Sequence, residues 1–303
     1  MQSLKIIVLL STWNGQRYVK QQINSILRQT VEGGIVELLI RDDGSQDDTV
    51  KIIKKIDDKR IRVIKGKNLG VRGSFFALLT EVAASNADYV AFADQDDIWL
   101  PGKLQRAVNQ LRKANEAALY CSALNLVDDN LHPLGKYRFQ DAPAFEGAFL
   151  ANCATGCTCV INHELLSLLK ASPNLNNILM HDWWLYLVAS SFGKVIYDEE
   201  SHIYYRQHAN NQVGMRTGVK SLIFRTKQNL QRKPYPSRMT QAKEFLACYG
   251  QLLPHKKRIY IEKFLECENS LIARAKFIYV DRPRRSGLLN EGVALIMFVL
   301  GRY

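Results

Sequence analysis

Short apolar runs alternate with segments of helical periodicity through the first third of the chain. The runs predict strands, and apolar residues at helical spacing predict helices with one buried face. The predicted strands are Leu4–Leu10, Val36–Ile40, Ile61–Ile64 and Tyr89–Ala93, and the predicted helices are Tyr18–Arg28, Asp47–Ile56, Gly73–Ala84 and Lys103–Ala114. This order predicts an α/β fold with a parallel sheet wound by right-handed crossovers, in which ligands bind beyond the carboxyl ends of the strands.

Beyond residue 118 the pattern is less regular. It predicts strands at Leu119–Leu126, Cys157–Ile161, Val195–Tyr197 and His202–Tyr205, and helices at Asp182–Ser191, Val219–Leu230, Thr240–Leu252 and His255–Tyr279. We place a domain boundary near residue 215, between an α/β domain over 1–215 and a helical region over 216–303. Ser45 is the predicted N-cap of the helix Asp47–Ile56.

The charge of the chain is polarised. Of the formal net charge of +12, none arises from residues 1–215 and all of it arises from residues 216–303. A neutral body with a basic tail predicts attraction of the tail to an anionic surface, either nucleic acid or the cytoplasmic leaflet of a membrane. The apolar segment Val293–Leu300 is too short to span a bilayer, so it favours an interfacial position.

The cysteines and the N-terminus predict a cytosolic protein. The first residues lead directly into a strand, without the basic, apolar and cleavage segments of a secretory signal. The chain has six cysteines. Cys153, Cys157 and Cys159 cluster, but no second cysteine or histidine pair follows at zinc-finger spacing, so we expect reduced, partly buried thiols.

Two predicted strands end in carboxylates. Tyr89–Ala93 is followed by Asp94, Asp96 and Asp97, and the strand Val36–Ile40 is followed within three residues by Asp42 and Asp43. Anions at a buried strand end are costly unless a cation balances them. Asp94 and Asp96 lie two apart on an extended chain, so both side chains leave one face and suit a hard divalent cation.

Three further segments carry candidate chemistry. Ser11–Gly15 ends the first strand with small and polar residues that suit a close approach to a ligand. Asp182 opens a helix between His181 and Trp183, and it is either a partner of the helix dipole or a general base with a raised pKa. Arg206 and His208 follow a strand, and they form either a polar turn or a phosphate clamp and a metal ligand.

These segments resemble motifs of glycosyltransferase family 2, in the same order along the chain. The motifs are Ser11-Thr-Trp-Asn-Gly, Arg41-Asp-Asp-Gly-Ser, Asn68-Leu-Gly, Asp94-Gln-Asp-Asp-Ile-Trp, His181-Asp-Trp-Trp and Tyr205-Arg-Gln-His. The resemblance covers about residues 4–215 and is strongest to the rhamnosyltransferase-like members of the bacterial polysaccharide branch. It implies a GT-A fold, with a nucleotide-sugar half over about 1–100 and an acceptor half over about 101–215.

The resemblance also implies roles for individual residues. Thr12 and Asn14 would border the nucleotide, and Asp42 or Asp43 would contact the base. Asp94 and Asp96 would be the metal-binding DxD pair, with Asp94 on the ribose side and His208 as a further metal ligand. Arg206 would lie by the diphosphate, and Asp182 would be the catalytic base. The implied cofactor is Mn²⁺ or Mg²⁺.

We therefore expect an inverting transferase that adds one sugar to a lipid-linked or oligosaccharide acceptor of a surface polysaccharide. The processive signature Gln-x-x-Arg-Trp is absent from the sequence. The first expectation for the donor is dTDP-rhamnose and the next is a UDP-hexose. We expect a peripheral position on the inner face of the cell membrane, with pairing of the C-terminal helices in a homodimer as the other use of that region.

Other functions fit less well. A sugar nucleotidyltransferase would carry a glycine-rich loop with Arg and Lys after the first strand, which Ser11–Gln16 lacks. A phosphatase with an aspartyl intermediate would place its Asp-x-Asp after the first strand. A basic protein that binds nucleic acid would explain the tail but not the acidic strand ends, so we expect no nucleic-acid partner.

Overall fold

The computed structural model describes residues 3–169, 173–208, 236–283, 286 and 288–301. The chain divides into two compact units. The first comprises Met1–Arg138, Ala154–Lys170 and Gly193–Met215, and the second comprises Phe139–Cys153, Ala171–Phe192 and Arg216–Tyr303. The predicted boundary near residue 215 lies outside the described residues.

The strands of the described residues all belong to the first unit. In chain order they are β1 Leu4–Thr12, β2 Gly34–Asp42, β3 Ile61–Lys65, β4 Tyr89–Ala93, β5 Ile98–Trp99, β6 Ala118–Ser122, β7 Leu124–Val127, β8 Pro133–Tyr137, β9 Val160–Asn162, β10 Lys194–Asp198 and β11 Ile203–Arg206.

A seven-stranded sheet has the order β10-β6-β9-β4-β1-β2-β3. Its strands are parallel except β9, which runs antiparallel to both β4 and β6. The mostly parallel sheet predicted from the strand and helix alternation is therefore confirmed.

A smaller sheet has the order β5-β11-β7-β8. Strand β11 pairs antiparallel with β5, with Ile203 opposite Trp99, and parallel with β7. Because β5 directly follows the acidic segment after β4, this pairing brings the end of β11 to the acidic segment.

The described helices are α1 Val19–Leu27, α2 Thr49–Lys54, α3 Gly70–Val82, α4 Lys103–Leu111, α5 Phe145–Ala148, α6 His163–Leu168, α7 His181–Phe192, α8 Arg238–Tyr249, α9 His255–Glu266, α10 Leu271–Val280 and α11 Leu288–Val299. Helix α1 shows how the sheet is covered. Its Val19, Ile23 and Ile26 are fully buried and share a core with Val8 and Leu10 of β1. The three helix residues share one face of α1 because of their helical spacing, and the two strand residues share one face of β1 because side chains alternate along a strand. These two faces pack against each other.

The second unit is helical and has an aromatic core. Trp184 meets Phe245 edge-on at 5.5 Å between ring centroids, and Phe149 meets Phe245 in the same way at 5.8 Å. Phe277 of α10 stacks on Phe298 of α11 at 5.4 Å. These rings join α7 to the C-terminal helices, so the helical character predicted for the C-terminal region is confirmed where it is described.

Three local predictions are wrong. Leu119–Leu126 is two strands, β6 and β7, which belong to different sheets. His255–Tyr279 is two helices, because the first ends at Glu266 and the Ser270 hydroxyl caps the second by accepting from the backbone N–H of Ala273. Ser45 is not an N-cap, since its hydroxyl accepts from the backbone N–H of Asn14. The predicted helix Val219–Leu230 lies outside the described residues.

Within the described ranges, no helix is both long enough and apolar enough to cross a membrane.

Candidate active site

The carboxyl ends of β1, β2 and β4 meet at one edge of the large sheet. Thr12 of β1 lies opposite Asp42 of β2, and Leu10 lies opposite Ala93, the last residue of β4. The chain continues from Ala93 into Asp94. The register therefore brings both acidic segments and the loop after β1 to the same edge, where open α/β sheets bind their ligands.

The end of β1 and the loop after it are joined to the end of β2 and the segment after it by hydrogen bonds. The Thr12 hydroxyl donates to Asp42 Oδ1 at 3.3 Å, and the Ser45 N–H donates to Asp42 Oδ2 at 3.0 Å. Asn14 adopts a positive φ of 47°, and its Oδ1 accepts from the Gln46 N–H at 2.9 Å. Both oxygens of Asp42 are thus used within the protein.

Asp43 is held differently. Its Oδ1 pairs with the Arg41 guanidinium and accepts from the Leu69 N–H at 2.8 Å. Arg41 is itself fixed, because it also donates to the Ser74 hydroxyl at 3.0 Å and to the Lys67 carbonyl at 2.9 Å. Both contacts of the Asp43 carboxylate use Oδ1, so Oδ2 keeps its capacity to accept from a ligand.

Gln95 links the acidic segment to the loop after β1. Its Oε1 accepts from the Trp13 N–H at 2.9 Å, and its Nε2 donates to the Trp13 carbonyl at 2.9 Å. Gly15 lies against this amide, since a Cβ at that position would be 2.1 Å from Gln95 Oε1. A side chain at Gly15 would therefore displace the Gln95 amide from its two hydrogen bonds to Trp13.

Asp96 and His208 form the central pair of the site. Nε2 of His208 lies 2.8 Å from Oδ2 of Asp96. The imidazole stacks on the Tyr18 ring with 5.3 Å between centroids, and the Tyr18 hydroxyl donates to Asp129 Oδ1 at 2.7 Å. Burial, reinforced by the hydrogen bond to Asp129, raises the pKa of Tyr18 to about 12. The stack fixes the plane of the imidazole.

Arg206 holds the acidic segment after β4 by hydrogen bonds to Asp96 and Asp97. It is buried, and its guanidinium lies 4.6 Å from the centroid of the Tyr18 ring. The backbone N–H of Arg206 donates to Asp97 Oδ1 at 3.1 Å. Its guanidinium donates to the Asp96 carbonyl at 2.8 Å, to the Asp129 carbonyl at 2.5 Å and to Gln21 Oε1 at 3.0 Å. Its contact with a diphosphate stays a prediction.

Asp97, the last carboxylate of the acidic segment after β4, is buried, as are Cys157 and Lys103 near it. Burial, and then the charges of Asp96 and Asp94, raise the pKa of Asp97 well above its ordinary value. Burial lowers the pKa of Lys103 to about 8, and its Nζ lies 4.0 Å from the centroid of the Trp99 ring. Sequence reasoning gave Cys157 and Lys103 no role, because nothing in their spacing relates them to Asp97.

Asp182 belongs to the second unit, whereas the other predicted site residues belong to the first. It is 8% exposed in the first turn of α7. Its Oδ1 accepts from the Trp183 N–H at 2.6 Å and from Asn152 Nδ2 at 3.1 Å. These two hydrogen bonds orient the Asp182 carboxylate, but its catalytic role stays a prediction.

Asp96 and His208 have a geometry that fits a divalent cation. Two neighbouring ligands of an octahedral ion with bonds of about 2.1 Å lie about 3 Å apart. The observed separation of 2.8 Å between Oδ2 and Nε2 is close to that value. An ion could therefore replace the hydrogen bond with little movement of either side chain.

The comparison with known families is decisive. Residues 7–167 match the family described as glycosyl transferase family 2, which is more than half of the chain. The chain belongs to glycosyltransferase family 2. The resemblance stated from six motifs is thus confirmed, and the protein is a glycosyltransferase.

Two bacterial relatives show which members of the family this chain is similar to. The dTDP-rhamnosyl transferase RfbG of Shigella flexneri is 31% identical over 226 residues, which cover 70% of this chain and 76% of that protein. The UDP-Glc:alpha-D-GlcNAc-diphosphoundecaprenol beta-1,3-glucosyltransferase WfgD of Escherichia coli is 27% identical over 168 residues, 55% of this chain and 64% of that protein. The chain is thus similar to bacterial polysaccharide enzymes and is rhamnosyltransferase-like.

Solved structures agree on the fold. TarS 1-349 of S. aureus in complex with UDP-GlcNAc has a TM-score of 0.57 at 13% identity, over 98% of this chain and 89% of that chain. The mannosyltransferase PcManGT of Pyrobaculum calidifontis in complex with GDP-Man and Mn²⁺ has a TM-score of 0.52 at 12% identity, over 98% and 85% respectively. The predicted GT-A fold is confirmed.

Proposed function

We propose that this glycosyltransferase transfers one sugar, with inversion, from a nucleoside-diphosphate donor in a reaction that depends on Mn²⁺ or Mg²⁺. The pairing of Asp96 with His208 at the carboxyl edge of the sheet carries the proposal, because a carboxylate oxygen and an imidazole nitrogen 2.8 Å apart can be neighbouring ligands of one divalent ion. Asp94, two residues earlier, supplies a further carboxylate on the side of the ribose. When bound, the ion neutralises the charge that develops on the leaving diphosphate.

We assign the contact with the base to Asp43 in preference to Asp42. A uracil or thymine ring offers an N–H donor, which a carboxylate oxygen accepts. Asp42 uses both oxygens in the protein, whereas Asp43 keeps Oδ2 and is held in place by Arg41 and Leu69. Thr12 at the end of β1 and Asn14 in the loop after it border the nucleotide.

Asp182 is the proposed general base. In a transfer with inversion the acceptor hydroxyl attacks C1 while the nucleoside diphosphate leaves from the opposite face, through a transition state with oxocarbenium character. One carboxylate must take the hydroxyl proton, and no covalent nucleophile is needed. The hydrogen bonds from Asn152 and the Trp183 N–H orient the Asp182 carboxylate for that task.

The first candidate for the donor is dTDP-rhamnose, because the name of the Shigella relative specifies that nucleotide sugar. A UDP-hexose is the second candidate, supported in the same way by the Escherichia coli relative. The name of that relative also specifies a diphosphoundecaprenol acceptor, so we propose a lipid-linked acceptor of a surface polysaccharide for this chain.

The C-terminal helices are proposed to lie on an anionic membrane surface. Phe277 and Phe298 point into the second unit. Other large apolar residues of α10 and α11, and Leu300 directly after α11, face solvent; those of the helices are Leu271, Ile272, Tyr279, Val280, Ile296 and Val299. The whole positive excess of the chain lies in the same region, at residues 216–303. An exposed apolar face with surplus cations suits an anionic lipid interface.

Vesicle flotation tests the membrane proposal. Binding to anionic liposomes at low salt should fall when Ile272 and Tyr279 are both changed to Ser, and neutral liposomes should bind little. If the wild-type chain does not bind anionic liposomes, and instead shows a dimer that these changes disrupt, the face belongs to a second subunit and the lipid proposal is wrong.

A thermal-shift panel tests the donor and the metal together. With Mn²⁺ present, dTDP or dTDP-rhamnose should raise the melting temperature of the wild type, and Asp43→Asn or Asp96→Asn should reduce the shift. Asp48→Asn is the matched control, because Asp48 is an exposed carboxylate paired with Lys51 near the same loop. Equal shifts with and without metal, or in Asp96→Asn, would contradict the proposed site.

A further inference from the structure

A thiol and two carboxylates meet on the inner side of the acidic segment. Asp94 and Asp97 follow β4, and Cys157 lies in the 3₁₀ turn Gly156–Thr158 before β9, the strand that pairs with β4. One oxygen of each carboxylate and the Cys157 sulfur all lie within 4.8 Å of one another. Among the described residues, this is the one group of three such side chains with atoms so close together.

Asp97 has an unused acceptor at this place. The residue is 1% exposed, and its Oδ2 has no hydrogen-bond partner among the described residues. Its other oxygen accepts from the Arg206 N–H at 3.1 Å, which fixes the carboxyl group. A buried carboxylate oxygen without a partner costs about 1–3 kcal/mol or more, so a ligand that satisfied it would be stabilised.

The donor set favours a thiophilic ion. A thiolate with carboxylates suits Zn²⁺ or its heavier analogue Cd²⁺, whereas Mg²⁺ prefers oxygen alone. In a tetrahedral zinc site a sulfur and an oxygen ligand lie about 3.5 Å apart, given bonds of about 2.3 and 2.0 Å. Since these atoms all lie within 4.8 Å of one another, side-chain movements of about 1 Å at most would bring them to that spacing.

We propose that Asp94, Asp97 and Cys157 form a second cation site, which binds Zn²⁺ or Cd²⁺ and is distinct from the pair Asp96 and His208. Binding breaks the S–H bond of Cys157 and the O–H bond of Asp97 where that carboxyl is protonated. Both protons pass to solvent, and bonds form from the sulfur and the carboxylate oxygens to the ion. Occupancy inhibits transfer because it takes Asp94 away from the donor. The inhibition, but not the binding, rests on the proposed function of Asp94.

Lys103 sets a limit on the affinity of this site. Its buried Nζ carries a charge near the thiol, and it has no hydrogen-bond partner among the described residues. That charge opposes a second cation.

Cadmium titration of the full chain tests the site without any need for turnover. The thiolate-to-Cd²⁺ charge-transfer absorbance should rise to one equivalent in the wild type. Cys157→Ser should weaken Cd²⁺ binding by about 100-fold, since it removes the one soft ligand, and Asp97→Asn should weaken it by about tenfold.

Two cysteines serve as matched controls. Cys121 is buried in β6, and Cys248 lies 3.7 Å from a single carboxylate, Glu244. Cys121→Ser and Cys248→Ser should keep the wild-type titration. If Cys157→Ser binds Cd²⁺ as tightly as the wild type, or if Cys248→Ser abolishes the signal, the proposed site is wrong.

Inhibition is measured separately, as the rate with Cd²⁺ relative to the rate of the same variant with Mn²⁺ alone. We expect at least tenfold inhibition of the wild type at saturating Cd²⁺, reversed by EDTA, and resistance of Cys157→Ser. Cd²⁺ binding that depends on Cys157 without inhibition would support the site and contradict the role of Asp94. If the wild type transfers sugar equally well without Mn²⁺, that result contradicts the proposed function but leaves the proposed Cd²⁺ site intact.

Discussion

Nε2 of His208 lies 2.8 Å from Oδ2 of Asp96, although 112 residues separate the two in sequence. The antiparallel pairing of β11 with β5 accounts for the contact, because β5 starts just after Asp96 and β11 ends just before His208. The backbone and guanidinium of Arg206 then fix the approach. The pairing of β5 with β11 in the smaller sheet thus positions Asp96 and His208 at the carboxyl edge of the larger sheet.

We expect His208→Ala to weaken Mn²⁺ binding and raise the metal concentration needed for half-maximal transfer by about 10–100-fold, since it removes one proposed ligand. His132→Ala is the matched control, because His132 is exposed and pairs with Asp128 four residues away. The free Mn²⁺ signal in electron paramagnetic resonance gives the affinity directly. Unchanged affinity in His208→Ala would remove His208 from the ligand set.

Asp182→Asn should lower kcat by about 100-fold or more while the dissociation constant of the donor stays near the wild-type value. The amide keeps the shape of the carboxylate but cannot accept the proton of the acceptor hydroxyl. Single-turnover kinetics, together with donor titration by calorimetry, separates the two effects. Normal turnover in the Asn variant would mean that another group is the base.

Gly15→Ala should weaken donor binding and cost about 1–3 kcal/mol of the free energy of unfolding. The new methyl group would lie 2.1 Å from Gln95 Oε1, so the amide would have to leave both of its hydrogen bonds to Trp13. Gly147→Ala is the control, because its Cβ would meet only the Tyr186 hydroxyl at 3.9 Å. Urea denaturation of both variants compares the costs, and equal stability would contradict this reading of Gly15.

His181 should make stability depend on pH on the acid side. Burial lowers its pKa from the model-peptide value of 6.5 to about 3, so between these values the unfolded chain binds a proton that the folded chain does not. The free energy of unfolding should therefore fall as pH drops below about 6.5, by up to about 1.4 kcal/mol per pH unit. His181→Gln should flatten this part of the curve in urea titrations from pH 4 to 7.5, and identical curves would contradict the assignment.

The sequence predicts the large sheet and the acidic edge because both depend on local signals. The run Tyr89–Ala93 is apolar throughout and fully buried as β4, and the aspartates that follow it can be read directly from the chain. The position of Thr12 beside Asp42 follows from the parallel order alone.

Other features depend on long-range contacts that no local pattern encodes. Gln95 reaches the backbone of Trp13 across 82 residues, and Cys157 approaches Asp97 only because β9 enters the sheet antiparallel beside β4. The split of Leu119–Leu126 belongs to the same class, since nothing in this mostly apolar run shows that its two halves join different sheets.

The interleaved composition of the two units has a consequence for any attempt to shorten the chain. Helix α7, which carries Asp182, packs its Trp184 against Phe245 and Tyr249 of α8, more than fifty residues later in the sequence. A chain cut at residue 215 would leave those aromatic contacts unmade and expose the face of α7. The C-terminal helices therefore cannot be exchanged among relatives as an independent domain. Chimeras joined at residue 215 should be insoluble or inactive.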